Sequence, residues 1–175
     1  MNNIENIRPD EVHYKATRVK DIVQKHDFLT PELDAYTIQK EICYFGEKFI
    51  KSNSNVYDLG CSTGYTISKL AGVFKKQDVS FFAVDYSQEM LAKAKSRLKK
   101  HKNINYVGCD LNKVLKISDA SFVIANLVLQ FLKYSSRQNL LKNIYQGLRP
   151  GGALVMIEKL KNKNSLLDNI FVDRY

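Results

Sequence analysis

Apolar positions first recur at helical spacing over residues 32–50, where Leu33, Tyr36, Ile38, Ile42, Phe45, Phe49 and Ile50 fall roughly on one side. Thr30-Pro31-Glu32 stands just ahead and combines a capping hydroxyl, a first-turn proline and an acid, which predicts a helix start. Residues 1–30 are polar and weakly periodic, as expected of a short helix or an arm. From residue 56 the pattern changes to short apolar runs alternating with helical stretches. Strands are predicted at 56–59, 79–84, 104–107, 121–125 and 153–157. Helices are predicted at 66–74, 88–100 and 135–148, the last capped by Ser135 or Ser136. Arg149-Pro150-Gly151-Gly152 predicts a sharp turn before the last strand. Strands alternating with helices mean βαβ units, hence a parallel sheet with helices on both faces. Such sheets bind ligands beyond the carboxyl ends of their strands, where strand order reverses.

Composition narrows the class. The 175 residues suit one domain, and 45% apolar residues are enough to bury a core. No signal peptide is expected at the N-terminus, and the longest apolar region, Phe122 to Leu132, is too short to span a bilayer. Cys43, Cys61 and Cys109 are odd in number and unpatterned, which fits a reduced, cytoplasmic protein. His13, His26 and His101 show no metal-ligand spacing, so no metal is expected. The net charge of +9 is concentrated in Lys93–Lys102 (KAKSRLKKHK). That run reads as a solvated helix face or, alternatively, as a surface for a polyanion. It lacks the aromatic and arginine interleaving of a nucleic-acid groove, and no direct nucleic-acid contact is expected. A second basic run, Lys159–Lys163, reads as a surface connection.

Three acidic strand ends stand beside one glycine loop. In Asp58-Leu59-Gly60-Cys61-Ser62-Thr63-Gly64 the glycines bracket a strand-to-helix junction, where backbone can approach a ligand and free N–H groups of the helix start can meet a polar group. The loop is not the G-x-G-x-x-G of a dinucleotide site, and it can also be a plain turn. S-adenosylmethionine (SAM) carries no phosphate, and Asp58 could orient the loop or pair with its ammonium. Asp85 ends the second strand, where a carboxylate can accept from both ribose hydroxyls or can cap the next helix. Tyr86 beside it could cover the adenine. Asp110 ends the third strand and could accept from the adenine amine while Leu111 donates to a ring nitrogen. A local turn role for Asp110 is the alternative. Asn126 and Gln130 follow the fourth strand and either hydrogen-bond a substrate or satisfy backbone groups. Phe131 is expected in the core. No nucleophilic His or Cys is evident, and no catalytic residue is assigned.

The whole pattern resembles the class I SAM-dependent methyltransferases. More closely, Val56–Ser62, Asn126–Leu132 and Ile144–Val155 with Glu158-Lys159 resemble the carboxy-S-adenosyl-L-methionine synthase family. The resemblance runs from about Tyr36 to Lys159. It implies a Rossmann-like α/β fold, with an N-terminal helical arm over residues 1–50, a Rossmann-like core over 52–158 and a truncated tail over 159–175. It also implies that SAM and prephenate become carboxy-SAM and phenylpyruvate. The product would supply a tRNA wobble-uridine modification made by another enzyme. A sulfonium acidifies its methyl C–H, so carbon dioxide lost as prephenate aromatises can add there, with no protein nucleophile. The ligand positions implied are Tyr36 (with a one-residue gap), Gly60, Cys61, Ser62, Asp85, Tyr86, Asp110, Leu111 and Asn126, beside Asp58 and Gly64 of the loop.

The resemblance also implies a final helix, antiparallel strands and an arginine that grips the added carboxylate, beyond the stretch matched by Leu166–Asn169. The sequence ends at Tyr175, before that segment, so a sheet lacking its last strands and a homodimer covering the edge are expected. A conventional methyltransferase of a small molecule or RNA, or a SAM-binding module without catalysis, are the other readings.

Overall fold

The structure, a computed structural model, describes residues 31–75 and 78–158, and of residues 31–36 it describes the backbone alone. The expectations placed on residues 1–30 and 159–175, the helix cap at Thr30 and the strands beyond residue 158 included, lie outside the described residues. Helix α1 (Pro31–Phe49) is followed by β1 (Ser54–Leu59), α2 (Tyr65–Val73), β2 (Val79–Asp85), α3 (Gln88–Arg97), β3 (Ile104–Gly108), β4 (Ala120–Asn126), a 3-10 turn (Leu129–Phe131), α4 (Tyr134–Gly147) and β5 (Leu148–Ile157).

All strand pairings are parallel, in the order β3-β2-β1-β4-β5. This is the Rossmann-like arrangement expected from the alternating pattern. The chain winds outward from β1 in one direction and then returns to place β4 on its other side. The order therefore reverses at β1, and the crevice past its carboxyl end lies between β2 and β4.

Strand side chains alternate between two cores. Val56, Phe81, Phe122 and Ile124 pack with Ile42 of α1, Ile67 and Leu70 of α2 and Leu91 and Ala94 of α3. Tyr57, Leu59, Val84, Val123 and Ala125 pack on the other face with Leu140 and Ile144 of α4 and with Leu111, Leu115 and Ile117 of the β3–β4 connection. Phe81 and Phe122 are fully buried, so truncating either to alanine would cost about 3–5 kcal/mol. Tyr57 and Phe82, register partners on adjacent strands, stack at 4.5 Å.

Two local expectations are corrected. Neither Ser135 nor Ser136 caps α4. The cap position is Lys133, no side chain closes it, and Ser136 Oγ instead donates to the Asn112 carbonyl. The Arg149–Gly152 turn does not precede β5 but bulges within it: Ala120 pairs with Leu148 and Phe122 with Ala153, so the intervening residues loop out at the amino end of the sheet. Gly151 takes a φ of 77° there.

Candidate functional site

Strand register places the predicted residues around one crevice. Leu59 is level with Val84 of β2 and Ala125 of β4, so the next residues, Gly60, Asp85 and Asn126, emerge together. Asp85 is level with Gly108, which puts Asp110 just past the same edge.

The glycine loop is built by conformations that most residues avoid. Gly60, Ser62 and Gly64 have φ of 70°, 50° and 73°. A Cβ on Gly60 would stand 2.7 Å from Val128 Cγ2, so both torsion and space require glycine. The loop's own N–H groups are consumed internally. Gly60 and Cys61 donate to the Val84 carbonyl at 2.8 and 2.9 Å, Gly64 donates to the Cys61 carbonyl at 2.9 Å, and Ser62 donates to Asp85 Oδ2 at 2.8 Å. The free N–H groups expected of the helix start belong to Tyr65 and the residues after it, so these four bonds leave that expectation as it was. The four residues form a pre-set wall.

Asp85 is more than a helix cap. Its Oδ1 accepts from Ser87 N at 2.9 Å while Oδ2 holds the loop. The cap of α3 is Ser87, whose Oγ accepts from Met90 N at 3.2 Å. Tyr86, 77% exposed, stands open beside it.

Asp58 is buried, and its Oδ2 has no hydrogen-bond partner. Burial, and then the negative charge of Asp85, push its carboxyl up to about 7. The Cys61 thiol is also raised strongly, first by burial and then by Asp58 and Asp85, which makes it a poor nucleophile. Asp110 makes the local turn considered above: its Oδ1 accepts from Asn112 N and Asn112 Nδ2, both at 2.9 Å, and these bonds hold its carboxyl below the ordinary value. Both fall on Oδ1, which leaves Oδ2 for another donor. The Leu111 side chain belongs to the α4-face core, so a ligand could meet only its backbone.

Asn126 ends β4, and its Oδ1 is buried without a partner. Leu127 then turns with a φ of 56° and donates its N–H to the Ile157 carbonyl at 2.7 Å. Gln130 Nε2 bonds the Leu127 carbonyl at 3.1 Å, so it satisfies backbone. Phe131 is 78% exposed, contrary to the core position expected. It lies in a short 3-10 turn at the surface. Tyr36 lies on α1, and its side chain is outside the described residues.

Of two further contributors, one was named only for the resemblance and one went unflagged in the sequence. Glu158 closes the β4 turn by accepting from Leu129 N at 2.5 Å. Gln39, on α1, has a buried Oε1 without a partner. Its signal was a lone amide next to Ile38 on an apolar helix face. Among the described residues no cluster of metal-binding side chains occurs, and no helix is long and apolar enough to cross a membrane.

Comparison with known proteins bears on this site. A family profile described as a methyltransferase domain matches residues 56–152. The carboxy-S-adenosyl-L-methionine synthase of Pseudoalteromonas translucida is 38% identical over 129 residues, covering 72% of this chain and 53% of the relative. The protein of the same name from Vibrio vulnificus is 33% identical over 151 residues, covering 84% and 61%. The chain thus spans a little over half the length of these relatives. Among solved structures, the N-methyltransferase NodS from Bradyrhizobium japonicum, in complex with S-adenosyl-L-homocysteine, superposes with a TM-score of 0.59 at 21% identity, covering 73% of this chain and 62% of that one. A methyltransferase-like protein from Methanococcus maripaludis gives 0.58 at 20% identity, covering 86% and 68%. These likenesses establish the class I methyltransferase fold.

Proposed function

Because the chain belongs to the methyltransferase-domain family, we propose that its crevice holds SAM and that the whole protein converts SAM and prephenate to carboxy-SAM and phenylpyruvate. The observation that carries the binding half is the pair of orphaned acceptors, Asp58 Oδ2 and Asn126 Oδ1, flanking the glycine loop. Buried acceptors without donors cost stability unless a ligand supplies them, and the ammonium of SAM is such a donor. Asp85, anchored on its amide side, keeps lone pairs for the ribose hydroxyls. Asp110 Oδ2 and the Leu111 backbone stand where the adenine edge would lie, with Tyr86 over its face. When bound, SAM supplies a sulfonium-activated methyl carbon. The protein's part is to fix that carbon past the end of β4 and to keep water from it.

The carboxylation half rests on the likeness to the carboxy-SAM synthases. It agrees with the chemistry of the site, whose one cysteine in the glycine loop is held protonated by burial and two carboxylates. Incubating the protein with SAM and prephenate tests it. Phenylpyruvate and a SAM species heavier by one carboxyl are expected. Absence of both from the complete protein would sink the reading. The cytoplasmic supply of carboxy-SAM to tRNA wobble-uridine modification belongs to the same proposal. The fold shared with an N-methyltransferase favours one second reading, conventional methyl transfer. Methylation of a small molecule or RNA without prephenate would select it.

A further inference from the structure

Helix α1 runs antiparallel to the sheet. Its end is fixed at the amino edge of β4, where Lys51 N donates to Ser121 Oγ at 3.3 Å. One turn earlier Gly46 lies level with Phe122: a Cβ there would stand 3.7 Å from Phe122 Cε1. Moving back from Gly46 to Gln39 climbs roughly 10 Å along the helix. Moving from Phe122 to Asn126 climbs roughly 13 Å along the strand. Gln39 therefore reaches the carboxyl end of β4. It also lies on the correct face. Asp58 shares the side of Val56, and Asn126 shares that of Phe122 and Ile124, which is the face that α1 covers.

Three buried side-chain oxygens without partners thus belong to one level of one face of the sheet: Gln39 Oε1 of α1, Asp58 Oδ2 of β1 and Asn126 Oδ1 of β4. Taken singly, each is an isolated defect. Together they are three oxygens in want of a donor, and an ammonium carries three N–H donors on one nitrogen. A carboxylate or an apolar group would leave all three unsatisfied. We infer that Gln39 contacts the ligand, its carboxamide oxygen accepting from the ammonium at the amino-acid end of SAM alongside Asp58 and Asn126. The inference rests on the SAM reading above and adds α1 to the site.

Calorimetric titration of the full chain with S-adenosylhomocysteine and with methylthioadenosine, which lacks the amino-acid end, tests it. Gln39→Leu should weaken S-adenosylhomocysteine about tenfold or more and leave methylthioadenosine unchanged. Equal weakening of both ligands, or of neither, overturns the role. Gln39→Glu keeps an acceptor and should preserve or tighten S-adenosylhomocysteine binding. Its weakening would mean that Gln39 donates to a carboxylate and would overturn the ammonium assignment. If Gln39→Leu fails to fold, the Glu variant alone decides. Failure of the unmodified chain to bind either nucleoside would instead refute the SAM reading.

Discussion

The carboxylate of Asp85 grips the backbone amide of Ser62 at 2.8 Å, so the acid that ends β2 also holds the glycine loop of β1 in shape. Its other oxygen holds Ser87 N at 2.9 Å. On the proposed SAM site, one side chain would therefore link ligand affinity to loop geometry. Asp85→Ala strands both amides and should cost about 1–3 kcal/mol of stability as well as SAM binding. Asp85→Asn keeps one oxygen and should recover most of the stability but not the affinity. Urea denaturation and calorimetry on the two variants separate these outcomes.

Asp58 gives a pH dependence of definite sign. Its carboxyl titrates at about 7 in the folded chain against an ordinary value of 3.8. The folded state therefore holds this proton more tightly than the unfolded state. That contribution to stability is complete below the ordinary value and is lost as pH rises through 7. Ligand binding runs the other way, because an ammonium favours ionised Asp58. SAM affinity should rise by up to about tenfold per pH unit below 7 and then level off. Asp58→Asn should flatten both profiles in denaturation and titration series from pH 5 to 8.

Gly60 combines a positive φ with a near neighbour. Gly60→Ala should destabilise the fold by about 1–3 kcal/mol. Adding Val128→Ala removes the 2.7 Å collision but not the torsional cost, so the double variant should regain only part of the loss. Thermal melts of the single and double variants check the partition.

Arg149 supplies the contrasting case. Its guanidinium bonds Asp119 Oδ1 through Nε and Nη2, and Nη2 also bonds the Asn53 carbonyl at 2.9 Å. These contacts tie loops together at the amino end of the sheet, away from the crevice. Arg149→Ala should cost about 1 kcal/mol, since Asp119 is exposed and Arg149 is only partly buried. It should leave SAM affinity unchanged in the same titration.

Glu158 supports the other side of the crevice through Leu129 N. Glu158→Ala should free the turn that follows Asn126. Faster amide exchange at Leu129 and weaker SAM binding are the expected readouts, with little change in global stability.

The sheet was legible because its strands are short apolar runs ended by Asp58, Asp85 and Asn126, and because the helices between them repeat at helical spacing. The acids were legible as strand ends. What they bond to was not: Asp85 reads equally as a cap or a ligand residue until the positions of Ser62 and Ser87 in space are known. The Arg149–Gly152 segment read as a turn ahead of a strand, yet it is a bulge inside one, because only the pairing of Ala120 with Leu148 shows that the strand has already begun. That segment helped to identify the family while lying at the opposite end of the sheet from the chemistry. Gln39 was invisible because its significance lies in level and face relative to β4, not in any local spacing. Phe131 misled because apolar character alone does not specify a pocket.

The internal bonding of the glycine loop has a consequence for discrimination among the nucleotides a cell contains. A dinucleotide cofactor anchors its pyrophosphate on unpaired loop amides. Here Gly60, Cys61, Ser62 and Gly64 have already given theirs to Val84, Cys61 and Asp85. Asp85 holds the loop from the β2 side, and the Arg97 guanidinium donates to Thr63 Oγ1 at 3.5 Å. A pyrophosphate laid along these four residues would find their amides already paired. A nucleoside ligand without phosphates loses nothing by that pairing, so the internal bonding of the loop should favour it over a dinucleotide.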